Sequence, residues 1–126
     1  NVILWFSGHV HDHKITQSRN SDGSHAFWEI RTGSHIDWPQ QSRTIEIVKS
    51  NNGKIAIGTV VFDHAGPVAF SGTPDELADP VALAGLSRLL AANDWQRQQD
   101  GPFNIELLAG EPEDRNIWLW ANDPLM

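Results

Sequence analysis

The chain opens on an apolar run. Val2–Ser7 carries no polar side chain before its last residue, a pattern that predicts a short buried strand covered on both faces. Gly8-His9-Val10-His11 follows it directly, and Lys14–Gln17 can form a return strand. The polar stretch Ser18–Ser24 reads as a loop. Ala26–Thr32 mixes aromatic, β-branched and polar residues, which favours a strand, whereas Gly33–Gln41, with Pro39 in its middle, reads as irregular chain. Arg43–Lys49 and Lys54–Val60 then alternate apolar and polar positions. Ile45 and Ile47 fall on one face of the first segment and Ile55 and Ile57 on one face of the second, with Asn52-Gly53 between. This predicts a β-hairpin. The period changes after residue 71. Thr73-Pro74-Asp75-Glu76 has the form of a capping box, Asp79-Pro80 repeats the start signal, and Leu83, Leu86 and Leu90 recur at helical spacing to about Ala92. Gln96–Pro102 reads as a polar connector. Asn104–Leu108 and Asn116–Trp120 read as short strands flanking an acidic turn at Glu111–Asp114.

Composition narrows the possible functions. The 126 residues suit one modest domain, 40% of them are apolar, and no apolar run reaches membrane-spanning length. There is no Cys, which removes disulfides, thiolate metal sites and cysteine nucleophiles. The net charge is −7, which argues against a nucleic-acid surface. Residues 1–62 carry 6 basic and 5 acidic residues, and residues 63–126 carry 3 and 11. The shift predicts two regions, 1–70 as a β-rich part and 71–126 as a helix with short strands packed on the same core. Asn1 runs at once into a core-type strand. We expect either a cut point there or a mature domain whose first strand is tied down at its terminus.

The chemistry concentrates at Gly8-His9-Val10-His11. Two imidazoles after a strand can offer neutral nitrogens to a divalent cation. In extended chain they would share a face; with a turn at Gly8 they can diverge toward two neighbouring cations. Leu4–His11 (LWFSGHVH) resembles the last metal-binding motif, Gly-His-x-His, of the calcineurin-like metallophosphoesterases. Phe27–Ile47 (FWEIRTGSHIDWPQQSRTIEI) is similar to a bacterial subgroup of that superfamily with a Ser-x-x-Asp-[Phe/Trp]-Pro-Gln-Gln-x-Arg stretch. Asp114-Arg115-Asn116 resembles that subgroup's closing strand.

The resemblance implies an α/β fold, α+β-like as a fragment: the C-terminal portion of a four-layer αββα sandwich, rich in hairpins, with one main helix near residues 80–92. It implies a two-metal hydrolase of phosphoesters using Mn, Fe or Zn. His9 would serve one metal and His11 the other, with the cations about 3.5–4 Å apart around a shared water. It also implies an exported bacterial protein. The superfamily's other ligand motifs precede Gly-His-x-His, and only seven residues precede Gly8 here. The chain is therefore expected to be inactive alone, with a missing N-terminal part of the same protein as its partner. Asp12, His13, His25, His35, Asp37, Asp63 and His64 cannot take over the missing roles.

His35 and Asp37 lie in the subgroup-like stretch and are candidates for supporting the metal ligands or facing substrate; loop packing is the alternative. Arg43 either meets phosphate or pairs with a carboxylate. His13 and His25 are expected to face solvent, Trp5 to sit in the core, and Trp118 and Trp120 to share a strand face that covers the body. Ser7 and Ser34 lack a nucleophile-elbow sequence. The rival reading is a β-rich binding or structural module in which His-x-His is incidental.

Overall fold

The computed structural model describes residues 2–67, 71–94 and 108–126. Within them six strands form two three-stranded sheets with one main helix. The first sheet has the order β1-β3-β2, built from β1 (Leu4–Ser7), β2 (Lys14–Arg19) and β3 (Ala26–Arg31). Strands β1 and β3 run parallel, with Leu4 opposite Trp28 and Phe6 opposite Ile30; β2 runs antiparallel to β3. The second sheet has the order β4-β5-β6 and is antiparallel throughout, from β4 (Gln41–Lys49), β5 (Lys54–Asp63) and β6 (Ile117–Asn122).

The predicted hairpin is β4–β5. Ile47 stands opposite Ile57, and Gly53 takes the positive φ of 75° that closing the turn requires. Alternation fixes what each face of this sheet meets. Ile55, Ile57 and Leu119 turn inward and join Ile30 of the other sheet in the buried core, with Leu4, Ile15, Trp28, Ile45 and Ile117 packed around them. Burial of these side chains away from water is the main force holding the two sheets together. One polar tie crosses between them, where the Trp28 indole N–H donates to the Trp120 carbonyl at 2.9 Å.

Three expectations need correction. Strand β1 is an edge strand, and Trp5 and Phe6 are 58% and 53% exposed. Trp5 is therefore not core: it pairs beside Glu29 on the outer face, while Phe6 lies at the uncovered margin of the inner face. Trp118 and Trp120 do share the outer face of β6, over Gly58 and Ala56, but both stay about half exposed. Thr73 makes no side-chain cap; Pro74–Ala78 is a 3-10 turn, and Glu76 instead accepts from the Ser71 N–H at 2.9 Å. The 96–102 connector lies outside the described residues, as does the predicted strand at 104–108 apart from Leu108.

Helix α1 (Pro80–Ala92) starts where predicted, with the Asp79 carboxylate accepting from the Val81 N–H at 3.0 Å. It meets the chain leaving β5 at very short range: a Cβ on Gly85 would overlap the Pro67 carbonyl oxygen. Arg88, one turn on, pairs with Asp63 at 2.7 Å. Gly85→Ala should therefore drive α1 away from residues 64–67. We expect a net loss of about 2 kcal/mol, the strain of overpacking reduced by alanine's better helix propensity. Urea unfolding of the variant measures it, and an unchanged midpoint would mean that this contact is not made in solution.

Candidate functional site

The pairing of β1 with β3 creates the site. The strands are parallel and adjacent, and the Thr32 N–H extends the ladder to the Ser7 carbonyl. Both therefore end at the same edge, and the loops that follow, residues 8–13 and 32–40, become neighbours. The crevice outside the carboxyl ends of parallel strands is a common place for ligands, because loops there converge on a rigid base.

The first loop is strained. His9 and His11 both hold positive φ, 75° and 63°. A non-glycine residue in the left-handed region is uncommon and costs of order 1 kcal/mol or more. Two histidines do so within three residues, while Gly8 between them and the strand does not. Left-handed residues turn the chain sharply, so the extended arrangement with both rings on one face is excluded. His9 is exposed and His11 half-buried.

The second loop returns Asp37 to the first. Its Oδ2 lies 2.6 Å from His11 Nδ1, with both side chains about 30% exposed. The loop around Asp37 is built rigidly. Ser34 Oγ accepts from the backbone N–H groups of Ile36 and Asp37, both at 3.1 Å. The Gln40 N–H donates to the Asp37 carbonyl, and the Gln40 amide donates to the Ile36 carbonyl and to Ser87 Oγ on α1, each at 2.9 Å. The Gln40 carbonyl accepts from Arg88 at 3.2 Å. His35 is carried on the same loop but is exposed and meets Ser42 Oγ at 3.0 Å. Of the four candidates, the structure thus joins His11 to Asp37, places His9 two residues away on the same turn, and gives His35 a different partner.

Beneath the first loop lies a residue that sequence reasoning misplaced. His13 is 1% exposed, not solvent-facing. Its Nδ1 accepts from the Arg43 guanidinium at 3.1 Å and from the Gly33 N–H at 3.3 Å, which puts the ring proton on Nε2. Burial, reinforced by the positive charges of Arg43 and Arg115, lowers its pKa to about 4. Among the described residues Arg43 pairs with no carboxylate. It donates to Thr59 Oγ1 at 2.7 Å and to the carbonyls of Asp114 and Arg115 at 2.6 and 3.3 Å, and burial brings its pKa down to about 10. The Asp114 carboxylate faces the other way, accepting from the Ile15 N–H at 2.8 Å and Lys14 Nζ at 3.0 Å; these bonds lower its pKa although its burial pushes upward. His25 is exposed as expected. Asp63 and His64 are occupied locally, Asp63 by Arg88 and Gln41 and His64 Nδ1 by the Gly66 N–H.

Two imidazoles on a sharp turn, one of them backed by a carboxylate, have the donor chemistry of a divalent-cation site. They are not a whole one: among the described residues no three His, Asp or Glu side chains converge in a way that could hold a metal. No protein-family model, no curated protein and no solved structure matches the chain.

Proposed function

We propose that the chain is the C-terminal part of a two-metal phosphoester hydrolase and supplies two of the metal-binding histidines, His9 and His11. The observation that carries this reading is the pair of left-handed histidines at the end of β1. Glycine would sit there at less cost, and although histidine tolerates this region better than most side chains, its presence at both positions supports a role for the imidazoles. The resemblance of residues 4–47 to calcineurin-like metallophosphoesterases suggests that role. The four-layer sandwich belongs to the same proposal, as do the N-terminal part carrying the remaining ligands and the export of the protein.

The bound cations would supply Lewis acidity toward the phosphoryl oxygens and a nucleophilic water at neutral pH. The chain's own contribution is placement. The short strand β1 fixes the start of the turn, the turn lets the rings diverge, and Asp37 holds one of them. The strongly acidic half, residues 63–126, is set against polyanionic substrates and favours small phosphoesters.

The test has two arms. The chain alone with added Mn²⁺ should not hydrolyse an aryl phosphate. In a longer protein carrying the N-terminal ligand motifs, His9→Ala and His11→Ala should each lower metal occupancy and reduce turnover by about 100-fold or more, with the fold retained. Full activity and two bound metals in both variants would overturn the assignment, and would favour the rival reading of a β-rich binding module.

A further inference from the structure

Resting on that reading, we infer that Asp37 is a positioning residue: it fixes the tautomer and orientation of His11, so that Nε2 is the nitrogen His11 presents to a cation. A carboxylate 2.6 Å from Nδ1 can only accept there, so Nδ1 must carry a proton. A neutral imidazole with Nδ1 protonated has its ligating lone pair on Nε2. An unrestrained imidazole in water prefers the opposite tautomer. The carboxylate therefore does more than hold the ring still: it selects the form whose free lone pair sits on Nε2.

The surroundings of Asp37 give a second reason to read the contact as built. From a loose loop, Asp37 could reach His11 only part of the time. Instead its own N–H is held by Ser34 Oγ and its carbonyl by the Gln40 N–H. Gln40 is 5% exposed and anchored to α1 through Ser87 and Arg88. Helix α1, more than forty residues further along the chain, thereby sets where the carboxylate stands. The entropy of ordering the carboxylate is met by the fold before any cation arrives.

The experiment reads the ring directly. The ¹⁵N-labelled chain, freed of metal by chelation, is examined at pH 8 by long-range ¹H–¹⁵N correlation, which reports the tautomer of each histidine. Wild type should show His11 protonated on Nδ1. Asp37→Ala should move it toward the Nε2–H form, and Asp37→Asn, which keeps an acceptor oxygen, should restore much of the wild-type signature. Ser87→Ala loosens the loop without touching the site and should give a mixture of the two. Zinc alone is then titrated into a longer protein carrying the N-terminal ligand motifs; its affinity should fall about 10–100-fold in Asp37→Ala and less in Asp37→Asn. An unchanged His11 tautomer in a folded Asp37→Ala chain overturns the inference. A longer protein carrying the N-terminal ligand motifs whose His9 and His11 ignore zinc overturns the metal reading instead, and the tautomer data, taken without metal, keep the two failures apart.

Discussion

Arg43→Ala is expected to lower the stability of the chain by about 3–4 kcal/mol. The guanidinium donates to four acceptors from three parts of the chain: His13 Nδ1, Thr59 Oγ1 and the carbonyls of Asp114 and Arg115. Removing it leaves His13 Nδ1 with the Gly33 N–H alone and takes a donor from each of the other three where water has little access; an unmet buried acceptor costs roughly 1–3 kcal/mol. The gain from no longer burying the arginine's charge offsets part of the sum, so the four contributions do not simply add. Arg43→Lys should recover only a fraction, because an ammonium lacks the planar fork that reaches both sides at once. Urea unfolding at pH 7.5 decides the matter; a loss below about 1 kcal/mol would mean that water replaces the guanidinium freely.

The second large effect is a loss of stability in mild acid, caused by His13. An unfolded imidazole titrates near 6.5, and the buried ring titrates at about 4. Above pH 6.5 both states hold it neutral. As pH falls from there toward 4, the unfolded chain takes up a proton that the folded chain refuses, and stability drops by up to about 3 kcal/mol before levelling off. The carboxylates act lower. The folded-state pKa values of Asp63 and Asp114 are depressed, so the stability they contribute is intact above the usual carboxylate range, starts to fall within it, and is gone below the depressed folded values. Unfolding midpoints from pH 7.5 to 4.5 should therefore slope in wild type and be much flatter in His13→Gln. Equal slopes in the two proteins would show that His13 is not buried neutral.

These two residues also mark where the sequence stopped being readable. The β4–β5 hairpin was legible because its information is local: Ile45, Ile47, Ile55 and Ile57 alternate, and Asn52-Gly53 lies between them. The start of α1 was legible for the same reason, through Asp79-Pro80. His13 was not. It stands between Asp12 and Lys14 in a polar run, and its burial comes from Arg43, thirty residues on, and from the Leu108 carbonyl that accepts from its N–H at 3.1 Å. Trp5 misled for the opposite reason: an apolar run resembles a central strand, and only the strand order places β1 at an edge. In the candidate site, His9, His11, His35 and Asp37 were all visible as residue types, but the bond between His11 and Asp37 was not, since it depends on the parallel register of β1 and β3. Ser34 and Gln40 stood in the sequence only as letters of the Ser-x-x-Asp-Trp-Pro-Gln-Gln stretch, with nothing to show that they hold the loop that carries Asp37.

The backbone at His9 and His11 has a consequence for anyone who engineers this chain. Both positions lie in the left-handed region, where exchanging a histidine for glycine relieves strain. A directed-evolution campaign scored on solubility, yield or thermal tolerance will therefore enrich glycine at 9 and 11 among its earliest winners. Each such winner will be a better-behaved protein that has discarded an imidazole, and nothing in the score will register the loss. Consensus-style stabilisation carries the same bias. Libraries built on this scaffold need those two codons locked from the first round.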